Sequence, residues 1–519
     1  MDNRKHMRTE KKTAVKNSFG RLLATGIFVL IQVAWLAYLL LYFYRDYAWI
    51  SLLSTFIAII LVLKIYGTST NSAMKMPWII VILAFPILGI LIYLLFGRSI
   101  VTRAVKKRFN SIEESYKKSL SQDENILKEV KDKDIYIYNQ FHYLSDHEGY
   151  PVYKNTDIEF YSIGEEGLEA QLTELEKAEK FIFMEYHAIE EASSFDRIKD
   201  VLIKKAAAGV EVRLFYDDVG SIFFLNKDFI KEMRANGIDC RVFNPIKLAF
   251  NMFMNNRDHR KILVIDGHTA YTGGVNIADE YANIIERFGY WKDSGVCLEG
   301  EGAWGLTASF IRMCVNLGGV MHNEHDYYRP HTPVKSEGFC QPFTDGPQNN
   351  PDNPAEDVFL QMISGARRFL YITTPYFIPD ESLMRALCIA GDGGVDVRLM
   401  LPGKPDHWYA DCVAESYFGE LIKHGVKVYR YTPGFLHGKS IMVDREAAFV
   451  GSANMDYRSF ELDYECGVMV YSAPMIESLL EDMDMIVDHS RLVTKEEWAK
   501  RSVLRRVFEP LLRLFAIWM

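Results

Sequence analysis

One polar pattern occurs twice in this chain. The first copy is RDHRKILVIDGHTAYTGGVNIAD (257–279) and the second is FLHGKSIMVDREAAFVGSANMD (435–456). Each reads His-x-Lys, four residues, Asp, six residues, Gly-Gly or Gly-Ser, one residue, Asn. The surrounding text repeats in the same order. FIFMEYHAIE (181–190) is answered by FLYITTPYFIP (369–379), GVEVRLFY (209–216) by GVDVRLML (394–401), and NGIDCRVF (236–243) by HGVKVYRY (424–431). The offset stays between about 178 and 188 residues at every pair. Four ordered coincidences mark the duplication of a whole domain, so one fold must serve both halves.

Within each half, short β-rich runs alternate with stretches of helical periodicity such as 196–208, which argues an α/β fold with mostly parallel sheets. Turn- and Pro-rich segments, HTPVKSEG and DGPQNNPDNP, separate the copies. These changes of texture divide the chain into a first α/β domain over 151–335 and a second over 336–495. A charged connector precedes them (98–150), and a C-terminal segment follows (496–519).

In an extended chain residues i and i+2 face the same side, so His437 and Lys439 project into one site, as do His259 and Lys261. The glycines that follow let backbone N–H groups approach a ligand, and Ser452 and Asn454 add short donors. A cation among neutral donors suits a tetrahedral oxyanion such as phosphate. A histidine in that setting can serve as nucleophile or general acid/base. Asp444 lies five residues beyond Lys439, on the opposite face of the strand, and reads as structural. The carboxylate that orients an imidazole must then come from a neighbouring element. Asp293 in YWKDSGVCL and Glu465 in LDYECGVMV occupy similar places after the two motifs. The two copies differ chiefly in Gly274 against Ser452. The other histidines, His187 and His407 included, carry no comparable frame and read as surface or core residues.

The first hundred residues have a different character. Residues 22–44 are almost wholly apolar, too long for a signal peptide and followed by no small-residue cleavage site. Two further apolar stretches follow, 48–63 and 76–96, the last with Pro86 and Gly89 near its middle. Basic residues crowd both flanks of the 21–97 region, in the 1–20 terminus and after Gly97, so both ends are expected on the cytoplasmic side. That demands an even number of crossings from three stretches. The short middle stretch is the first candidate to fail, although a hairpin around Pro86 or three full spans remain open.

The net charge of −9 argues against a nucleic-acid partner. Seven cysteines at wide intervals, none at C-x-x-C spacing, read as reduced and mostly buried thiols. The final run, 498–519, is basic on one side and apolar on the other and reads as an interfacial helix attracted to anionic lipid.

The two motifs resemble the signature of the phospholipase D superfamily, HxKxxxxD followed by G[SG]xN. His259, Lys261, Asp266, Gly273, Gly274 and Asn276 match it, as do His437, Lys439, Asp444, Gly451, Ser452 and Asn454. The resemblance places His259, Lys261, Asp266, His437, Lys439 and Asp444 in the catalytic set. It makes Gly274, Asn276, Ser452, Asn454, Asp293 and Glu465 supporting residues. It implies that both motifs meet at one pseudo-twofold site, where one histidine attacks phosphorus and the other exchanges the proton, with His259 the nucleophile by analogy. Longer stretches, YTGGVNIADEY, TTPYFIPDESL and GSANMDYRSFELDYE among them, are similar to bacterial cardiolipin synthases over nearly the whole chain. Met313-Cys314 departs from the tryptophan that many relatives carry. The implied reaction transfers a phosphatidyl group between two phosphatidylglycerols, giving cardiolipin and glycerol, with no metal or cofactor. Hydrolysis as a phospholipase D, or transfer to serine as a phosphatidylserine synthase, would use the same site. The implied partners are membrane phosphatidylglycerol and cardiolipin, self-association into a homo-oligomer is left open, and the implied location is a multi-pass protein of the cell membrane with its catalytic domains cytoplasmic.

Overall fold

The computed structural model describes residues 48–97, 120–246, 255–322, 325–330, 334–350 and 352–516, with scattered positions in 23–38 and 106–112. Most of the first apolar stretch therefore lies outside the described residues.

The apolar region that is described differs from expectation. The middle stretch, expected to be the one that fails to span, forms α1 (Ala48–Tyr66), the only helix among the described residues long and apolar enough to cross a bilayer. The third stretch is split instead into α2 (Ser72–Ala84) and α3 (Pro86–Phe96). Pro86 opens α3, because proline at the first helical position gives up no hydrogen bond there. The two arms fold back tightly: a Cβ at Gly89 would fall 2.5 Å from the Val81 carbonyl oxygen, so only glycine allows the approach. Ala58 and Ile65 of α1 pack with Trp78 and Ile82 of α2.

Each half of the catalytic region is built on one sheet. The first runs β1 (Thr156–Tyr161), β2 (Phe181–Tyr186), β3 (Glu211–Asp217), β4 (Asp239–Phe243), β5 (Lys261–Ile265), β6 (Thr269–Gly273) and β7 (Gly295–Gly300), in spatial order β1-β7-β6-β5-β2-β3-β4. The second runs β8 (Phe339–Asp345), β9 (Phe369–Thr373), β10 (Asp396–Pro402), β11 (Lys427–Tyr431), β12 (Ser440–Val443), β13 (Ala447–Gly451), β14 (Asp463–Tyr471) and β15 (Ser490–Leu492), in order β8-β14-β13-β12-β9-β10-β11-β15. Apart from β15 the two orders are the same. Parallel pairing is confined to β2-β3-β4 and β9-β10-β11, and every other ladder within these two orders is antiparallel. The sheets are therefore mixed rather than mostly parallel. Each motif lies on a hairpin, β5-β6 or β12-β13, which needs no helical crossover.

Helices cover both faces, which explains why the central strands read as unbroken apolar runs. Outside the first sheet lie α4 (Gly164–Leu175), α5 (Ser193–Ala207) and α6 (Phe229–Ala235). Between the sheets lie α7 (Ala303–Asn316) and, later in the chain, α11 (Met475–Asp488). Outside the second sheet lie α8 (Pro354–Gly365), α9 (Glu381–Asp392) and α10 (Trp408–Lys423). The middle layer draws apolar side chains from both halves, Ile262, Val264 and Leu298 with Met442, Val450 and Val468. The chain ends in α12 (Val503–Leu514). All seven cysteines are free and six are buried.

Phe310 on α7 stacks at 4.6 Å on both Phe183 of β2 and Phe215 of β3, fixing the middle layer to the first sheet. Truncating Phe310 to alanine is expected to cost about 3–5 kcal/mol. Chemical denaturation of the purified protein checks this, and a loss below about 1 kcal/mol would contradict the packing.

Candidate active site

Two short ladders join the halves and set the site. Tyr290–Lys292 pairs in parallel with Gly434–Leu436, in register Leu436 to Lys292, so the next residues, His437 and Asp293, fall opposite each other. Arg257–Asp258 pairs in parallel with the start of β14, in register Asp258 to Tyr464, which brings His259 opposite Glu465. The backbone continues both ladders: His437 N–H donates to the Lys292 carbonyl at 2.7 Å and His259 N–H to the Tyr464 carbonyl at 2.9 Å.

Each histidine therefore meets a carboxylate of the other half. His259 Nδ1 lies 2.9 Å from Glu465 Oε1, and His437 Nδ1 lies 2.6 Å from Asp293 Oδ2. A carboxylate on Nδ1 fixes ring orientation and favours the tautomer whose Nε2 lone pair is free. Lys439 Nζ sits 2.9–3.0 Å from the His437 ring nitrogens, and Lys261 Nζ is 2.5 Å from the His259 carbonyl oxygen. His437, Lys439 and Lys261 influence the charge of His259, and Lys261 that of His437, so the four groups share one centre.

Burial sets the protonation states. It pushes His437 down to about 4, helped by Lys439 and opposed by Asp293, and it holds His259 well below the ordinary imidazole range, with Lys261 and Lys439 adding to the effect. Both rings are neutral at pH 7. Burial works against the charge of Asp293, but His437 and Lys439 outweigh it and keep that carboxyl below its usual range. Glu465 is different: burial pushes it up to about 7 despite the pull of Lys261 and the Ser452 hydroxyl. Burial also lowers the Lys439 ammonium to about 7, with Asp293 resisting. A lysine so lowered is a cation below pH 7 and neutral above it. Capture of a phosphodiester anion should weaken accordingly, and kcat/KM is expected to fall as pH rises through about 7. A pH–rate profile on lipid vesicles checks this, and a flat profile from pH 6 to 9 would contradict it.

The paired glycine and serine positions do different work. A Cβ on Gly274 would fall 2.1 Å from Asp293 Oδ1, so only glycine leaves room for that carboxylate. Ser452, its counterpart, donates its hydroxyl to Glu465 and accepts from the Cys466 N–H at 2.9 Å. Asn276 Oδ1 accepts from Ala188 N–H at 3.1 Å, and its amide donates to the Tyr281 hydroxyl at 2.9 Å. Asn454 Oδ1 is buried without a hydrogen-bond partner among the described residues.

Asp266 and Asp444 do not join the imidazoles. Asp266 accepts the N–H groups of Glu179, Lys180 and Phe181 at 2.7–2.8 Å, and Asp444 those of Arg367, Arg368 and Phe369 at 2.7–2.9 Å. Both have left-handed backbone, φ +53° and +55°, at the turn that ends the motif strand. The structural reading of Asp444 fits the contacts of both carboxylates, which hold backbone N–H groups rather than an imidazole.

Other neighbours carried no sequence frame. His187 meets the His259 ring edge-on at 4.9 Å and is fixed by the Asp258 carbonyl at 2.8 Å. Arg260, buried beside His259, binds Asp258 and Glu185. Around His437, Tyr281, Trp291 and Phe435 lie at 5.2–5.7 Å and form an apolar wall. Tyr376 and His407 both bind Asp406, at 2.5 and 2.8 Å. His187 lies in MEYHAI, and its position at the end of β2, whose other edge neighbour is the motif strand β5, is the one signal that could have singled it out.

Two duplicated sheets closing on a crossed pair of histidine–carboxylate couples define a phospholipase D-like protein. A family profile described as "Cardiolipin synthase, PLD-like domain" matches residues 172–284 and 359–487, and one described as "Phospholipase_D-nuclease N-terminal" matches 53–98. The chain is 33% identical to the cardiolipin synthase of Halalkalibacterium halodurans over 472 residues, covering 90% of this chain and 93% of the relative. It is 33% identical to "Major cardiolipin synthase ClsA" of Bacillus subtilis over 477 residues, covering 90% and 97%. An uncharacterized protein of Streptococcus mutans is 36% identical over 459 residues, covering 88% and 98%. Among solved structures, the phosphatidylserine synthase of Haemophilus influenzae superposes with a TM-score of 0.55 at 15% identity, over 70% of this chain and 95% of that one, a likeness of fold. The chain belongs to the bacterial cardiolipin synthase family of the phospholipase D superfamily, and with its apolar N-terminal helix it is a membrane protein.

Proposed function

We propose that this protein is a cardiolipin synthase, a phosphatidyltransferase that joins two phosphatidylglycerols and releases glycerol through a phospho-histidine intermediate. The observation that carries the mechanism is the crossed pairing of His259 with Glu465 and His437 with Asp293. His259 Nε2 attacks phosphorus, and the bond from phosphorus to the headgroup glycerol oxygen breaks. His437, which takes up a proton from solvent to become an imidazolium when the phosphate anion binds, gives its Nε2 proton to that oxygen, and glycerol leaves. The headgroup hydroxyl of a second phosphatidylglycerol then gives its proton to His437 and attacks phosphorus. The P–N bond breaks, cardiolipin departs and His259 is restored. Lys261 and Lys439 hold the phosphoryl oxygens, and the bound anion raises the basicity of His437 above its value in the empty site.

Two features favour these roles over their exchange. Asp293 is the carboxylate held in its charged form, and a charged carboxylate stabilises the imidazolium that a proton-exchanging histidine must become. Glu465, raised to about 7, offers His259 less of that charge, and burial with Lys261 and Lys439 keeps the ring a neutral nucleophile. The two α/β domains meet at this site, and their proposed bounds are 151–335 and 336–495. The basic flanks favour a multi-pass protein with both ends cytoplasmic, with the α2–α3 hairpin entering the bilayer without crossing it.

Labelled phosphatidylglycerol incubated with the purified protein and resolved by thin-layer chromatography tests the function. Cardiolipin with an equal yield of free glycerol is expected. Phosphatidic acid as the sole lipid product would make the protein a hydrolase, and a serine-dependent product would make it a phosphatidylserine synthase.

A further inference from the structure

A cavity of about 520 Å³ lies outside the catalytic centre, where the membrane hairpin meets the second half. The start of α2 forms one wall through Met76 and Pro77, α9 and α10 form the floor, and α12 closes the far side through Pro510 and Leu514. Asn71, the N-cap of α2, donates to Asp380, the N-cap of α9, so hairpin and catalytic body are joined here.

The helix that closes this cavity is turned opposite to an ordinary surface helix. Its polar side faces the protein. Glu509 is only 4% exposed and binds Arg501 at 2.5 Å, and Arg505 binds Glu415 of α10 at 2.5 Å. Its apolar side faces outward, with Val503, Leu504, Val507, Phe508 and Leu511 between 45% and 80% exposed. A five-residue apolar stripe held outward by these ion pairs, of which that of Glu509 is largely buried, has no stable place in water. It touches α2, whose neighbour α1 is itself apolar and exposed, so the surface is continuous with the membrane-embedded part. Arg385 and Arg513 line the same cavity, and neither has a carboxylate within ion-pair distance among the described residues. Arg513 lies 4.1 Å over the Tyr417 ring. Glu381, Glu420 and Asp380, the last accepting from Asn71, complete the charged lining.

We propose that this cavity is a second phospholipid site, separate from the catalytic centre, which takes a glycerophospholipid at the bilayer surface. Arg385 and Arg513 receive its phosphate, Glu381 and Glu420 receive the hydroxyl or ammonium donors of its headgroup, and its acyl chains run along the outward face of α12. Two cations beside Glu381, Glu420 and the Asn71-bound Asp380, with an adjoining apolar stripe, match a headgroup with its chains better than a free anion. The inference needs the membrane placement but not the chemistry at the histidines.

The test uses full-length protein in lipid nanodiscs, carrying His259→Ala so that bound lipid is not consumed. A phosphatidylglycerol with a photoactivatable group in one acyl chain is crosslinked and the labelled peptides are mapped. Label is expected on α9 and α12, falling by about tenfold or more when Arg385→Gln and Arg513→Gln are combined, while label near the catalytic loops is unchanged. Excess inorganic phosphate should not compete. No label on α9 or α12, label there that is indifferent to both arginines, or label abolished by inorganic phosphate alone would overturn the proposal. A nitroxide on Phe508→Cys gives a second reading. It should meet dissolved oxygen more readily than a water-soluble nickel chelate. The reverse preference, or dipolar broadening from a second copy at that position, would contradict the placement of α12 among acyl chains.

Discussion

His259→Ala and His437→Ala are each expected to lower turnover by about four orders of magnitude or more, with fold and membrane insertion intact. Neither loss can be made up by the other histidine, because each ring is locked to a carboxylate of the opposite half by a ladder that runs in one register only. The two variants should nevertheless differ. Without His437 the nucleophile is still present, so a phosphodiester whose leaving group departs without a proton should still phosphorylate His259 and then stall. Without His259 no covalent species should form with any substrate. Single-turnover measurements with a lipid and with an activated phosphodiester separate these cases, and more than about a hundredth of wild-type turnover in either variant would break the two-histidine scheme.

Asp293→Asn is the second large effect, about 10³–10⁴-fold on turnover by the cost of a wrong histidine tautomer. Asp293 Oδ1 accepts the Ser294 N–H at 2.9 Å while Oδ2 accepts from His437 Nδ1 at 2.6 Å. An asparagine must keep its oxygen toward Ser294, since the amide would otherwise set donor against donor. Its NH2 then faces Nδ1 and forces the proton of the neutral ring to Nε2, where it blocks removal of the proton from the incoming alcohol, and the imidazolium that protonates the departing glycerol loses its counter-charge. Release of the first glycerol and attack of the second lipid pass through the same imidazolium, so both half-reactions should slow together. Slowing confined to one half-reaction would contradict this reading. Thermal unfolding should change little, because the substitution preserves shape inside a filled space.

Much of this site could be read from the residue order. The two His-x-Lys pairs, the glycine turns and the two late carboxylates stand at spacings that a strand converts directly into one face. The crossing of Asp293 to His437 and of Glu465 to His259 could not be read, because it depends on ladders of three and two residues between segments more than a hundred positions apart. The difference between Gly274 and Ser452 was visible as letters, but its cause is steric on one side and a hydrogen bond on the other. Asp266 shows the limit of motif reading. It sits in the signature at a fixed distance from His259, yet its carboxylate is spent on three backbone N–H groups at the far end of the strand. Strand direction was equally hidden, since an apolar run covered on both faces looks the same whether its neighbours are parallel or not. In the membrane region Pro86 did mark the break, but the tight hairpin depended on Gly89 meeting Val81, a contact that hydropathy does not encode.

The most direct measurement is the stoichiometry and position of the covalent intermediate. A phosphatidyl donor labelled at phosphorus and carrying a leaving group that departs without a proton is quenched rapidly with His437→Ala protein and with the intact enzyme, and the modified peptides are mapped. One label per chain, on His259, is the predicted result, because both imidazoles serve a single phosphorus. Label on both histidines would mean two independent sites, and label on His437 alone would reverse the roles assigned here.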